Sequence, residues 1–218
     1  MIVSTRPVEG TGSGDQPSRD YYLKLRKLEW TVHVPLHPME SHEINQLVAG
    51  SLGVNKIPQS FSDYIAKKSQ GNPLFSEQIA FALRDNGMVE IKNRRCRVNP
   101  NRMLDEIVLP DSLQGIINNR IDRLNEEQKM TLKVASVIGR RFPLNWVCAV
   151  HPVVSEENEI REDLRSLVEL NILVETSNDD VMNKDTYEFK QAMTRDVAYQ
   201  GLLFDHRRII HRQCAECE

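Results

Sequence analysis

The sequence predicts a mainly α-helical fold with small β elements. Three observations carry this. From Ser41 onward, apolar residues recur at helical spacing through most of the chain. Short alternating runs are few, and each lies beside turn residues. Hydrophobic residues make up 40% and charged residues 27% of the 218, the balance of a chain able to bury a real core.

The elements follow in order. Residues 1–5 form a short apolar run halted by Arg6-Pro7, which predicts a buried strand. Residues 8–20, rich in Gly, Ser, Asp and Pro, predict a loop. Trp30, Val32 and Val34 alternate with Thr31 and His33, which predicts a second strand ended by Pro35. Ser41 reads as the N-cap of a helix with Ile44, Leu47 and Val48 on its apolar stripe and Gly53 at its end. A shorter helix follows over 60–69. In Gly71-Asn72-Pro73-Leu74-Phe75, Asn72 suits an N-cap and Pro73 the first helical position. Phe75, Ile79, Ala82 and Leu83 then share a face, and Asn86-Gly87 closes the helix.

Residues 88–91 and 96–98 predict a hairpin turning at Asn93-Arg94, while 101–108 give no clear signal. Pro110 and Asp111 open a helix with Leu113, Ile116, Ile117, Ile121 and Leu124 on one face. Three more helices are expected over Glu126–Ile138, 143–150 and 156–170. Strands over 172–175 and Thr186–Phe189 flank a polar turn, and helices near 191–203 and 205–217 complete the chain. Three helices and then a hairpin, from about 127 to 190, is the winged-helix order. The last helix is still strongly patterned where the sequence stops, so neither end reads as a domain boundary.

A net charge of −3 with pI near 6.1 argues against broad electrostatic binding to nucleic acid. Helix 156–170, which would enter DNA in a winged helix, opens on Glu156, Glu157, Glu159 and Glu162 and would repel phosphate. No apolar run approaches the roughly 18 residues that span a bilayer, and the first residues lack the pattern of a signal peptide. Four cysteines, at 96, 148, 214 and 217, are too sparse for a disulfide framework and point to the reducing cytoplasm. Cys214, Cys217 and His211 make only a lone C-x-x-C beside a histidine, short of a zinc site. His33, His37 and His42 are too irregularly spaced for a ligand set, so no metal site is expected. Lys92, Arg94, Arg95 and Arg97 make a basic hairpin and read as a solvated face.

Four stretches in order resemble one family. They are Gly71-Asn72-Pro73-Leu74-Phe75; Leu109-Pro110-Asp111-Ser112-Leu113 with Asn119-Arg120-Ile121-Asp122-Arg123-Leu124; Ala135-Ser136-Val137-Ile138-Gly139-Arg140-Arg141-Phe142; and Arg195-Asp196-Val197-Ala198-Tyr199 with Leu202-Leu203, Arg207-Arg208 and His211-Arg212. Their order and spacing resemble the signal-transduction ATPases with numerous domains (STAND), in particular the module that follows the catalytic domains of soluble-type adenylyl and guanylyl cyclases. The resemblance implies a C-terminal remnant of an α/β P-loop ATPase core over 1–38 and a helical lid with a small hairpin over 39–108. It further implies a winged-helix domain over 109–204 and the start of a following helical region, helical repeats among the options, over 205–218.

The same resemblance implies site residues. Arg6, at the end of the first strand, would read the γ-phosphate of ATP. Gly71-Asn72-Pro73 would match the family's G-x-P turn, whose proline packs on adenine. Gln191 stands where the family often has a histidine that holds ADP; an amide can donate a hydrogen bond to phosphate but carries no charge. No G-x-x-x-x-G-K-[ST] occurs, and Gly10-Thr11-Gly12-Ser13-Gly14-Asp15 lacks the lysine and helix that would cradle phosphates. ATP or ADP with magnesium is therefore expected only beside a separate ATPase core, with no tight nucleotide binding or hydrolysis by this chain alone. The expected partners are that core and a neighbouring effector, with a nucleotide cyclase foremost. A non-catalytic interaction scaffold and a winged-helix DNA-binding regulator are the competing readings.

Overall fold

The computed structural model describes residues 24–25, 27–28, 30–32, 34–102, 108–153, 156–176 and 185–216. The expected first strand, the Gly-rich loop and Arg6 lie outside the described residues. The chain divides into two units, Met1–His37 and Pro38–Glu218.

In the first unit the expected strand at Trp30, Val32 and Val34 is not formed. Residues 30–32 and 34–37 are neither helix nor strand, and these three side chains are 81%, 84% and 69% exposed. Alternation marks a strand only where a neighbour takes up its ladder bonds. Here Thr31 N–H instead donates to the Leu28 carbonyl at 3.0 Å, a local turn.

The second unit is mainly helical with two small sheets. It begins with α1 (Ser41–Ser51), α2 (Gln59–Ser69) and α3 (Pro73–Asp85). The N-cap of α1 is Glu40, not Ser41. Counting from Glu40, the third helical residue is Glu43, whose carboxylate reaches back to the Glu40 N–H at 2.8 Å and completes a capping box. Counting from Ser41, that position is Ile44, which has nothing to return. Leu52 follows α1 and Gly53, at φ +66°, turns the chain away. Helix α2 ends on Gln70 in the left-handed region.

Helix α3 is central rather than one-faced. Gln78, Ile79, Ala80, Phe81, Ala82 and Leu83 are all buried. Beyond it, β1 (Val89–Lys92) and β2 (Arg95–Val98) pair antiparallel, Val89 opposite Val98 and Lys92 opposite Arg95. Val89 and Cys96 are buried on one face of this ribbon.

Helix α4 (Leu113–Asp122) starts later than expected. Ser112 is its cap, with Oγ accepting from Gly115 N–H at 3.1 Å, while Asp111 is exposed beside Lys68. Next come α5 (Glu126–Ile138), β3 (Arg141–Pro143), α6 (Leu144–Val150) and α7 (Glu157–Glu169). Then follow β4 (Leu173–Thr176), β5 (Thr186–Phe189), α8 (Ala192–Gln200) and α9 (Phe204–Glu216). The expected order of three helices and a hairpin is present. Strand β3 is an addition: three residues ending at a proline are too short for an alternation signal, and proline suits a strand end at a sheet edge. The sheet runs β3-β5-β4, all antiparallel, and Phe142 of β3 lies 6.2 Å from Tyr187 and 5.7 Å from Phe189, ring centre to ring centre.

Two hydrophobic clusters hold this unit together. One joins α1, α2, α3 and the ribbon and takes in Leu109 and Ile116. The other gathers α5–α9 and the three-stranded sheet, with Ile117 and Ile121. Helix α4 therefore faces both, Ile116 to one side and Ile117 to the other. Among the described residues no helix is long and apolar enough to cross a membrane.

Candidate functional site

The polar centre of the second unit lies where α3, α4 and the C-terminal end of α7 meet. Gln78, Phe81 and Asp85 follow one another at helical spacing on α3 and face Arg120 of α4. The side chain of Arg120 is 4% exposed and its guanidinium makes three bonds. Nε donates to Asp85 Oδ2 at 3.0 Å, Nη1 to Gln78 Oε1 at 2.7 Å and Nη2 to the Leu170 carbonyl at 2.6 Å. Burial pushes its pKa down, and the Asp85 carboxylate opposes that shift.

Leu170 caps α7, and Asn171 follows at φ +59°, the left-handed residue that ends many helices. The Leu170 carbonyl is thus at the negative end of a helix, where cations are favoured. Arg84 joins Arg120 there at 3.1 Å and also holds Asp85 at 2.8 Å. Phe81, fully buried, has Arg120, Arg84 and Lys190 at 5.0, 5.2 and 5.1 Å from its ring centre.

The network continues through Gln191, the residue before α8. Gln78 Nε2 donates to Gln191 Oε1 at 2.8 Å, and Gln191 Nε2 donates to Glu77 Oε2 at 3.4 Å. The hydroxyl of Ser51, at the end of α1, donates to the other oxygen of Glu77. Both ends of the Gln191 amide are therefore committed to α3.

Gly71, Asn72 and Pro73 form the turn into α3. Gly71 is buried at φ +78°, and its carbonyl accepts from Met39 N–H at 2.9 Å. Asn72 Oδ1 accepts from Phe75 N–H at 3.0 Å, the expected cap. Asn72→Ala is expected to cost about 1 kcal/mol in urea denaturation, the usual value of a lost N-cap. Pro73 is exposed at the first helical position. Glu77, which Gln191 touches, stands four residues later and so one turn along the same edge of α3. The structure thus puts Pro73 and the Gln191 contact along one helix edge. Arg6 lies outside the described residues.

Sequence reading gave no role to Arg120, Asp85, Gln78 or Phe81. A signal was there: Arg120 falls in the apolar stripe 113, 116, 117, 121 and 124, and Gln78 falls beside Ile79 in that of α3. A charge or amide within an apolar stripe is buried and must be paired. The arrangement sets one hydroxyl on a carboxylate, Ser51 on Glu77. It joins α3, and through it the first cluster, to α7 and α8 of the second.

Helix α7 exposes Glu157, Glu159 and Glu162, a poor surface for nucleic-acid phosphates. Among the described residues no group of His, Cys, Asp or Glu has metal-holding geometry.

A family model described as "Domain of unknown function (DUF8739)" matches residues 40–97, from the cap of α1 into β2. No curated protein matches the chain. The match covers about a quarter of the chain, and it contains the Gly71-Asn72-Pro73 turn and all the α3 residues of the polar network.

Proposed function

We propose that the chain is the lid-and-lever part of a nucleotide-dependent regulatory switch, similar to STAND ATPases and working beside a P-loop core that holds the phosphates. The observation that carries this is the shared edge of α3: an exposed, rigid Pro73 at its start and, one turn on, the Glu77–Gln191 contact to the second cluster. A flat ligand resting on Pro73 would sit beside that contact. Tilting α3 there would reach Arg120 and α7 through hydrogen bonds rather than through a loop. The order of α5–α7 and the three-stranded sheet supports a winged helix as the moving part.

In this reading Arg6 contacts the γ-phosphate and the chain has no turnover of its own. Labelled ATP titrated into a protein carrying these residues with their P-loop core is expected to bind. Arg6→Ala and Pro73→Ala should each weaken binding about tenfold, the scale of one charge-assisted or packing contact. Binding and turnover unchanged in both variants would remove the assignment. The effector, a nucleotide cyclase foremost, would then be sought by its response to bound ATP.

One observation favours a second reading. Gln191, its amide oxygen held by Gln78 and one of its two N–H groups by Glu77, is already bound to α3 without a nucleotide and keeps a single N–H for phosphate. A rigid interaction scaffold without nucleotide predicts that ATP leaves the protein's hydrogen exchange unchanged.

A further inference from the structure

The β1–β2 ribbon has an outward face that its fold does not require. Glu90 and Arg97 stand opposite one another in the register, as do Lys92 and Arg95. These four side chains share the face opposite to Val89 and Cys96. With Asn93 they line an open groove of about 490 Å³, within the size range of small-molecule sites.

Two features of this ribbon oppose its stability. Lys92 and Arg95 are like charges directly across a strand pair, an unfavourable pairing. The turn is the tight two-residue type with both central residues at positive φ, Asn93 at +49° and Arg94 at +59°. Its second position favours glycine, and an arginine there is strained. The turn is also anchored, since Arg94 O accepts from Asn55 N–H at 3.0 Å. Four cations and one carboxylate, Glu90 bound to Lys92 at 2.9 Å, thus crowd a fixed hairpin in a chain whose net charge is −3. Backbone strain and a like-charge cross-strand pair in one place are reason to look for a ligand there.

We infer that this groove binds a small polyphosphate, a compound with two or more linked phosphate groups. Arginine forks and a lysine suit several phosphate oxygens at once, and bound anion charge cancels the Lys92–Arg95 repulsion. The groove is formed by residues 90–97, apart from the Pro73 edge, and the inference does not depend on the nucleotide reading.

The test is calorimetric titration of inorganic triphosphate into the full chain at 50 and 150 mM salt, with amide NMR shifts to locate it. Binding with shifts centred on residues 90–97 is expected, at least tenfold weaker in Lys92→Ala with Arg95→Ala. Arg94→Gly is the control: it relieves the turn without removing a residue of the groove, so its melting temperature should hold or rise while triphosphate affinity stays near that of the parent. Unchanged affinity in Lys92→Ala with Arg95→Ala would overturn the inference. So would an equal loss in Lys129→Ala with Arg208→Ala, an equal charge change elsewhere, which would mean unspecific attraction. Mixed-sequence duplex DNA that displaced triphosphate at a lower concentration would assign the ribbon to nucleic acid and overturn it as well.

Discussion

Arg120→Ala is expected to lower the unfolding free energy by about 3 kcal/mol, the lower end of the range for breaking a buried ion pair. The lower end applies because Asp85 keeps Arg84 at 2.8 Å and is not left alone. What loses its partner is Gln78 Oε1, while the Leu170 carbonyl keeps only Arg84 at 3.1 Å. A domain stable by roughly 5–15 kcal/mol feels such a loss strongly. Urea unfolding followed by tryptophan emission and by circular dichroism measures it. Trp146 lies in the second cluster's part of the chain, on α6, and the already exposed Trp30 adds little change. The two signals should coincide in the parent and draw apart in Arg120→Ala, because the Arg120 bonds between the clusters are gone while those of Arg84 and Gln191 remain. A coincident transition with a loss under 1 kcal/mol would mean that packing around α4, not the guanidinium, holds the clusters together. Asp85→Ala combined with Arg120→Ala should lose less than the two single losses added, as expected of partners in one network.

Gly71→Ala is expected to cost about 3 kcal/mol, as strain of about 1–2 kcal/mol for a left-handed L-residue adds to overpacking of about 1–3 kcal/mol. A methyl on Gly71 would lie 2.6 Å from Pro38 Cβ and 2.9 Å from both Met39 N and Met39 O. Two of those three atoms are backbone and cannot step aside as a flexible side chain would. The Met39 N–H bond to the Gly71 carbonyl is then the first to go. Thermal unfolding gives the magnitude, and the Phe75 amide resonance shows whether the Asn72 cap survives. A melting temperature within one degree of the parent would contradict the close approach of Pro38.

The helices were legible because each has a signal local to itself. Asn72-Pro73 and Asn86-Gly87 announce the two ends of α3 within a few residues, and the structure uses both. The starts of α1 and α4 were displaced where two cap candidates adjoin. Glu40 wins because Glu43, three positions on, completes a capping box, and at α4 it is the Ser112 hydroxyl that accepts from Gly115 N–H. Strand β3 was not legible, since what makes Arg141–Pro143 a strand is β5, more than forty residues later. Trp30, Val32 and Val34 show the converse, an alternating pattern with no neighbour among the described residues. At the candidate site the turn at Gly71-Asn72-Pro73 was readable from composition alone. Arg120 was visible only as an inconsistency in its stripe, because its meaning depends on Asp85, Gln78 and Leu170, three places that only the fold unites.

Ile116 sets a limit on how this protein can be divided. The stretch that a family model matches, residues 40–97, stops short of it, yet Ile116 is fully buried in the cluster that those residues form. Expressed alone, that stretch would carry an open socket where Ile116 and Leu109 belong, and would be prone to aggregate. The stretch that the family model matches and the cluster that packs around it therefore differ by one helix.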